Sequence, residues 1–333
     1  MNGTMRAIQV PRFGGPEVMR IVELPIPEPG PGEVLVRVRY AGVNYSDVYR
    51  RMGRVREGHA PDLVPPFIPG SEAAGEIAGV GRGVDDLAEG DRIVYSQMNV
   101  GASARYAVIP AWRAVRIPAQ IPLETAAAAY MQGSTAYYLS HWVRPIQPSD
   151  TVLIQAGAGG VGQKLLQFAK MLGARVITTV GSDEKAAFVE SLGADLAIRY
   201  RTEDFREATL AATDGRGVDV VYDGVGRDTI LGSIRSLRRR GLCVLFGVAS
   251  GPVDTVSTLD LAEAGSVFFT RPQLRHYLSG PDEIRRCADG LFGAVMRGQL
   301  RIFHRVFSLE HAADAHRTLE SRQMLGKILL GVD

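Results

Sequence analysis

Residues 151–173, TVLIQAGAGGVGQKLLQFAKMLG, run from a short apolar strand through a glycine-rich turn into an amphipathic helix. Gly157, Gly159 and Gly162 follow the G-x-G-x-x-G spacing at that turn. In a dinucleotide site such glycines allow a tight turn, close approach of the backbone to a pyrophosphate, and close helix–strand packing. The N–H groups and the positive dipole end of the following helix also favour phosphate. The segment therefore predicts a dinucleotide-binding loop.

The chain around this loop alternates between strand and helix patterns. Further strands are predicted at 175–180, 219–225 and 242–247, and helices at 123–140, 162–173, 184–193 and 229–240. Alternation at this spacing is typical of βαβ units around a parallel sheet. We therefore expect an α/β fold in which residues 126–271 form a Rossmann domain with a doubly wound parallel sheet.

The first third of the chain has a β-rich character. Residues 33–40, EVLVRVRY, alternate apolar and charged positions, which predicts a strand with one face in the core. Closely spaced Gly/Pro turns favour a small barrel or sandwich. After Arg271-Pro272, the sequence predicts helices at 282–297 and 310–321 and a last strand, KILLGV, at 327–332. We expect residues 1–125 and 272–333 to form one domain together.

Composition excludes several classes of protein. The 333 residues carry 38 Lys and Arg against 36 Asp and Glu, and a net charge of +2 provides no field for binding a polyanion. Cys243 and Cys287 are the only cysteines, which excludes a disulfide scaffold and a four-cysteine zinc site. No segment has the ~18 uninterrupted apolar residues of a membrane span, and the N-terminus lacks a secretory pattern. We expect a cytoplasmic protein that does not enter a membrane.

One basic cluster, Arg235 with Arg238–Arg240, is predicted to lie on a helix that precedes a strand. No aromatic residues alternate with these arginines, so a solvated helix face is favoured over an RNA-binding site. Nucleic acid is therefore not the expected partner.

The residues after the second predicted strand bear on the choice of nicotinamide cofactor. This strand ends at Val180, and Asp183 is close enough to hold the ribose 2′-hydroxyl of NAD. Ser182, however, fits the pattern of a helix N-cap, which places Asp183 in the first turn, where the dipole favours acids. Lys185 follows in that turn, either as a ligand of a 2′-phosphate or as a solvated surface lysine. The pattern favours NADPH and leaves NAD open.

Several specific runs carry a family resemblance that covers nearly the whole chain. They are GGPEVM at 14–19, AGVNYSDVYRRMG at 41–53, GSEAAGEIAGVGRGVDDLAEGDRIVY at 70–95, QGSTAYYL at 132–139, the loop and following segment at 156–195, VVYDGVGRDT at 220–229, LRRRGLCVLFGVASG at 237–251 and FFTRP at 268–272. Together they resemble the zinc-independent, NADPH-dependent quinone oxidoreductases of the medium-chain dehydrogenase/reductase superfamily, the branch that includes zeta-crystallin. The resemblance implies a β-rich, GroES-like barrel domain beside the Rossmann domain.

The resemblance also bears on metal binding. Many members of the superfamily bind a catalytic zinc through a cysteine in the segment that here reads GVNYSD, and through the histidine of a G-H-E-x-x-G motif. This chain has Asn44 near the first position and Ser71 in place of the histidine. A catalytic zinc needs about three protein ligands. We therefore expect no metal site.

The resemblance implies which residues form the site. The catalytic residues that it implies are Asn44, Asp47 and Tyr49, which line the cleft for nicotinamide and substrate. Together with the glycine loop, its cofactor-binding set is Asn44, Tyr45, Gln132, Thr135, Gly157, Gly159, Gly160, Val161, Gly162, Gly181, Ser182, Lys185, Tyr200, Phe246, Gly247 and Arg322. Within this set, the residues implied to surround the adenosine 2′-phosphate are Ser182, Lys185, Tyr200 and Arg322. Some relatives carry another tyrosine shortly after Tyr49, whereas this chain reads MGRVREGHAPD at 52–62 and departs from that pattern.

The expected activity is reduction of a quinone or a conjugated carbonyl by NADPH, through hydride or single-electron transfer and without a metal. Tyr49 would donate a hydrogen bond or proton to the developing oxyanion, while Asn44 and Asp47 order the cofactor. An alkenal or enoyl double-bond reductase of the same branch is the first alternative, and a non-catalytic, NADPH-binding crystallin-like or RNA-binding protein is the second. The family also implies a homodimer, for which the apolar strand at 265–270 is the candidate edge.

Overall fold

The structure is a computed structural model that describes residues 3–54, 63–96 and 101–332. The contact pattern divides the chain into two compact units. The first comprises Met1–Met131, Leu278–Met296 and Ile302–Asp333, and the second comprises Gln132–Tyr277 and Arg297–Arg301. The expected domains end slightly earlier in the chain, at residues 125 and 271, and their limits stay a prediction.

The strands and helices are numbered in chain order. The strands are β1 (Thr4–Gln9), β2 (Arg20–Pro25), β3 (Glu33–Val43), β4 (Glu72–Val80), β5 (Arg92–Ser96), β6 (Tyr106–Pro110), β7 (Val115–Arg116), β8 (Thr151–Ile154), β9 (Arg175–Val180), β10 (Leu196–Arg199), β11 (Val218–Asp223), β12 (Leu237–Leu245), β13 (Phe268–Thr270), β14 (His304–Ser308) and β15 (Lys327–Gly331). The α-helices are α1 (Tyr45–Arg51), α2 (Leu123–Tyr138), α3 (Gly160–Met171), α4 (Asp183–Ser191), α5 (Phe205–Ala211), α6 (Ile230–Arg235), α7 (Thr258–Glu263), α8 (Leu274–Tyr277), α9 (Pro281–Met296) and α10 (Ala312–Glu320). A π-helical turn, Leu139–Val143, extends α2.

The second unit contains a six-stranded parallel sheet in the order β10-β9-β8-β11-β12-β13. This is the doubly wound order, in which the direction of winding reverses between β8 and β11. All residues of β8 and of β11 are buried, as a parallel sheet covered on both faces requires. The α/β, Rossmann-type expectation is confirmed.

One element of this unit differs from the sequence-based expectation. The helix predicted over 229–240 ends at Arg235, and β12 begins at Leu237. Leu237 pairs with Val218 of β11, so strand pairing with a distant segment replaces the local helical pattern. The basic cluster therefore does not share a helix face: Arg235 pairs with Asp260, and Arg238 pairs with Asp219.

The first unit is built on a seven-stranded, mainly antiparallel sheet in the order β14-β15-β3-β4-β5-β7, with β6 also paired to β3. β1 and β2 form a separate antiparallel pair. The long β3 is the centre of this unit, because it pairs with β15, β4 and β6. Strict alternation does not hold in β3, since Val34, Leu35 and Val36 are all buried. The β-rich GroES-like expectation is confirmed.

In the described part of the chain, no helix is long and apolar enough to cross a bilayer.

Candidate active site

The glycine loop joins the carboxyl end of β8 to the N-terminus of α3, where Gly159 is the N-cap. A Cβ atom at Gly157 would collide with Thr178 of β9, and one at Gly162 would collide with the carbonyl oxygen of Ala156. Both positions therefore admit only glycine. Helix geometry leaves the N–H groups of the first turn of α3 without intrahelical acceptors, which suits a phosphate group.

Hydrogen bonds from neighbouring strands fix the start of this loop. The Thr179 hydroxyl accepts from the N–H of Ala156 (3.0 Å) and donates to Gln155 Oε1 (2.7 Å). Gln155 Nε2 donates to the Ser233 hydroxyl (3.1 Å), which donates to Asp223 Oδ2 (2.7 Å). Ala156 itself has a φ of 56°, a left-handed conformation that a non-glycine residue adopts only when it is held there. This network provides that support.

The carboxyl end of β12 adds Phe246 and Gly247. Their N–H groups both donate to the carbonyl oxygen of Asp223, at 2.8 and 3.3 Å. A Cβ atom at Gly224 would lie 2.7 Å from the Phe246 ring, so the ring covers the backbone that follows β11. Phe246 and Gly247 therefore lie at the same edge of the sheet as the glycine loop, where open α/β sheets bind ligands.

Gln132 and Thr135 lie on α2, and Gln132 contacts the glycine loop directly. A Cβ atom at Gly160 would collide with the side-chain amide of Gln132. Gln132 Oε1 accepts a hydrogen bond from Lys164 Nζ (3.1 Å), which also donates to the carbonyl oxygen of Gly160 (3.2 Å). The structure thus brings Gln132 and Gly160 together. Val161 is the next residue of α3.

The end of β9 and the start of α4 form a second polar cluster. Ser182 is the N-cap of α4 and accepts from the N–H of Lys185 (3.3 Å). The Tyr200 hydroxyl lies against Gly181, 2.8 Å from the position of a Cβ there. Burial, with the nearby Arg201 cation, lowers the pKa of Lys185. Asp183, the acid considered for NAD, forms an ion pair with Arg199.

In the first unit, Asn44 and Asp47, two of the three predicted catalytic residues, lie where β3, β4 and β15 come together. Asn44 follows β3 and caps α1, with its N–H donating to Asp47 Oδ2 (2.9 Å) in a capping box. The Asn44 amide donates to Glu72 Oε1 (3.2 Å) and accepts from Lys327 Nζ (2.6 Å). Glu72 and Lys327 also form an ion pair with each other, and the Met131 N–H donates to Glu72 Oε2 (3.0 Å).

The strand register explains why these three side chains meet. Ala73 of β4 pairs with Ala41, and Ile328 of β15 pairs with Val43, so Glu72 and Lys327 flank the end of β3 from opposite sides. Lys327 is 1% exposed and Glu72 is fully buried. Because lysine can only donate and a carboxylate can only accept, these partners fix which way the Asn44 amide points.

Asp47 is the buried acid of this cluster. Its Oδ1 lies 3.5 Å from Arg50 Nη1 and accepts a hydrogen bond from the Ser71 hydroxyl (3.3 Å). Burial raises the pKa of Asp47, and the Arg50 charge opposes that shift. Asn44 and Ser71, the two positions compared with zinc ligands, are thus engaged in hydrogen bonds within the protein. Among the described residues, no group of three or more His, Cys, Asp or Glu side chains is arranged to hold a metal ion.

Tyr45 and Tyr49 lie one turn apart on α1, with ring centroids 6.1 Å apart. The Tyr45 hydroxyl donates to the carbonyl oxygen of Leu319 (3.0 Å). Burial raises the pKa of Tyr45, while the neighbouring Arg322 guanidinium opposes the shift. Arg322 thus contacts Tyr45 in the first unit, whereas Ser182, Lys185 and Tyr200 belong to the second. Residues 55–62, which include most of the departure from the family pattern, lie outside the described residues.

Sequence reasoning missed Glu72, Lys327 and Lys164. Glu72 stands within the quoted GSEAAG run, and Lys327 begins the apolar strand KILLGV. A charged residue next to a buried strand was the available signal. Lys164 looks like a surface residue of an amphipathic helix, yet it is fully buried.

Two family models match the chain. Residues 30–119 match the alcohol dehydrogenase GroES-like domain, and residues 160–289 match the zinc-binding dehydrogenase model. The first lies within the β-rich part of the chain and the second begins at the glycine loop, so the two matches agree with the two architectures described above.

Curated relatives match over nearly the full length. The chain is 40% identical to quinone oxidoreductase 1 of Escherichia coli over 97% of this chain and 98% of that protein. It is 39% identical to the 2-haloacrylate reductase of a Burkholderia species, again over 97% and 98%.

Solved structures agree with these matches. Escherichia coli quinone oxidoreductase in complex with NADPH has a TM-score of 0.94 at 39% identity and covers 98% of this chain and 99% of its own. A mycobacterial protein solved with NADPH has a TM-score of 0.92 at 40% identity, over 98% and 100%. The chain therefore belongs to the quinone oxidoreductase family of the medium-chain dehydrogenase/reductase superfamily.

Proposed function

We propose that this protein reduces quinones with NADPH and without a metal ion. The observation that carries the cofactor assignment is the polar cluster beyond the glycine loop. There Lys185 and Arg201 are close enough for Arg201 to lower the pKa of Lys185, and Asp183 is engaged by Arg199. Two neighbouring cations suit a 2′-phosphate, and an engaged acid is a poor partner for the ribose hydroxyl of NAD. The NADPH complexes of two relatives support the same cofactor.

NADPH, when bound, supplies the hydride. The first turn of α3 would hold the pyrophosphate, with Gly160 and Val161 offering backbone N–H groups. Gln132 and Thr135 of α2, with Phe246 and Gly247, would contact the nicotinamide half of the cofactor. Asn44 would order the nicotinamide through an amide that Lys327 and Glu72 hold in one orientation.

Tyr49 is the proposed donor to the substrate oxygen. It follows the Asn44 cap by little more than one turn of α1, and Asp47 fixes that turn through the capping box. A phenol hydroxyl supplies the hydrogen bond or proton that a developing quinol oxyanion needs. A quinone accepts hydride readily without further activation. A hydrogen-bond donor is therefore enough to stabilise the developing negative charge, and a Lewis acid is not needed.

An enone reductase is the second candidate, because the Burkholderia relative is named for reduction of a haloacrylate, a conjugated substrate. Hydride addition to a conjugated double bond uses the same cofactor placement and the same oxyanion donor. A non-catalytic or RNA-binding role has less support, since the arginine cluster is divided between two elements and two of its members are ion-paired.

The test is oxidation of NADPH or NADH followed at the reduced-nicotinamide absorbance band, with a benzoquinone and with a small enone. Quinone-dependent turnover with a strong preference for NADPH would support the proposal. Turnover with the enone alone would move the assignment to the double-bond reductase. Tight NADPH binding without turnover on either substrate would contradict the proposed reaction but would still support NADPH as the cofactor.

We also propose a cytoplasmic homodimer. β13 is an edge strand of the parallel sheet. Two large apolar side chains of the same unit are mostly exposed, Phe268 of β13 at 63% and Leu259 of α7 at 66%. An apolar edge strand is a template for pairing with a second copy. Light scattering should give twice the 36.0 kDa chain mass, and Phe268→Lys should give monomers. A monomeric wild-type protein would contradict the assignment.

A further inference from the structure

We propose that Lys164 is a positioning residue for the cofactor, and that its ammonium group fixes the Gln132 amide against Gly160 so that Gln132 Nε2 faces the nicotinamide half of NADPH. The inference rests on the proposed function, because it takes NADPH to lie along the glycine loop. It adds to the proposed site a residue that does not itself belong to the glycine motif.

The geometry shows one cation clamping two proposed cofactor residues together. Lys164 Nζ donates to Gln132 Oε1 at 3.1 Å and to the carbonyl oxygen of Gly160 at 3.2 Å. Gly160 is the first residue of α3, and Lys164 lies one turn further along the same helix. The Gln132 amide occupies the space that a Cβ at Gly160 would need. Lys164 thus couples α2 to the loop through direct contacts.

Donor and acceptor chemistry fixes the orientation of this amide. An ammonium group has donors and no acceptor, so it must contact the oxygen of the Gln132 amide. Gln132 Nε2 therefore points away from Lys164 while it remains against Gly160. The result is an N–H donor held at the start of α3, next to the backbone N–H groups that suit a phosphate.

Burial indicates that Lys164 has a specific task. Lysine is rarely fully buried unless its charge is compensated, since desolvation disfavours the charged form. Lys164 is fully buried, whereas Lys170, on the same helix, keeps 31% of its side chain exposed. An apolar residue at 164 would fill the same space without that cost. We therefore attribute the buried ammonium group of Lys164 to its role in orienting the Gln132 amide.

Calorimetric titration of the full-length protein tests the inference, with NADPH and with 2′,5′-ADP, which lacks the nicotinamide half. Lys164→Met should weaken NADPH binding by about tenfold, the effect of losing a hydrogen bond of roughly 1.4 kcal/mol. The affinity of the variant for 2′,5′-ADP should differ from that of wild type by less than about twofold, which is clearly smaller than the tenfold effect on NADPH. Lys170→Met is the matched control and should leave both affinities unchanged.

Gln132→Glu gives a second test that leaves Lys164 in place. The carboxylate keeps an acceptor for Lys164, so the variant should fold, but it lacks the N–H donor. NADPH binding should again weaken selectively. In the Gln132→Met background, Lys164→Met should have no further effect on NADPH affinity, because the two residues act as one unit.

Three results would overturn the inference. They are unchanged NADPH binding in Lys164→Met or in Gln132→Glu, equal losses for NADPH and 2′,5′-ADP, and additive losses in the double variant. Wild-type protein that binds no NADPH would overturn the proposed cofactor and this inference together. Wild-type binding with an unaffected Lys164→Met variant would overturn this inference alone.

Discussion

The ion pair between Lys327 and Glu72 is sealed from solvent, with exposed fractions of 1% and 0%. Removing one member leaves the other charge buried without compensation, which costs about 3–5 kcal/mol. We therefore expect Lys327→Met to lower the free energy of unfolding by that amount in urea titrations. The double variant Lys327→Met/Glu72→Gln should recover most of the loss. A loss below about 1 kcal/mol in the single variant would show that the pair is solvated in the protein.

Tyr49 is the residue proposed to donate a hydrogen bond or proton to the substrate oxygen. Positioned general acids contribute about a hundredfold or more to rate, so Tyr49→Phe should lower kcat for quinone reduction by at least about tenfold. NADPH affinity should stay the same, because only the hydroxyl is lost. Tyr106→Phe, a change in β6 outside the proposed site, is the matched control. Unchanged turnover in Tyr49→Phe would rule out the assigned role.

Lys185 is one of the two cations proposed to bind the 2′-phosphate and so to favour NADPH over NADH. A charged hydrogen bond contributes about 1.5–3 kcal/mol, so Lys185→Met should reduce NADPH affinity by about tenfold or more while NADH affinity changes little. Lys170→Met, the same change at a lysine of α3 outside this cluster, serves as the control. A parallel loss of both cofactors would contradict a contact with the 2′-phosphate.

At the scale of the elements, α3 contains an unsatisfied polar side chain. Among the described residues, Gln163 Oε1 and Nε2 have no hydrogen-bond partner, and the side chain is fully buried. Leaving such groups unpaired costs about 1–3 kcal/mol, so Gln163→Leu should raise the free energy of unfolding by roughly 1 kcal/mol. Chemical denaturation of the cofactor-free protein measures this change. A lower stability would indicate that an internal water pairs with the amide.

The elements also show what could be predicted from sequence. The parallel sheet and the capping role of Ser182 follow from local patterns, because strand–helix alternation and N-caps are encoded by neighbouring residues. The helix predicted over 229–240 failed at Leu237 because strand pairing with Val218 is not local. The contact between Asn44 and Lys327 joins residues 283 positions apart. A charged first residue of a buried strand marks Glu72 and Lys327 each as unusual, but no local pattern indicates that they meet each other and Asn44.

At the scale of the whole molecule, His316 links stability to pH. It lies in the first unit, 1% exposed, with its Nδ1 2.8 Å from Arg51 Nη1. Arg51 can only donate, so Nδ1 accepts and the ring proton lies on Nε2. Burial and the Arg51 charge lower the pKa of His316 to about 3. Glu320 also faces this group, through its ion pair with Arg51.

The sign of the resulting pH dependence follows from proton binding. Below a pH of about 6.5 the unfolded chain binds a proton at this histidine, whereas the folded protein binds it only near pH 3. Stability therefore falls as the pH drops through that interval, by up to about 1.4 kcal/mol per pH unit from this group. Urea unfolding at pH 7.5, 6 and 5 should show this slope, and His316→Asn, which keeps an acceptor for Arg51, should reduce it. An identical slope in the variant would assign the acid sensitivity to carboxylates such as Glu76 instead, because the hydrogen bond from Arg37 lowers the pKa of Glu76 in the folded protein.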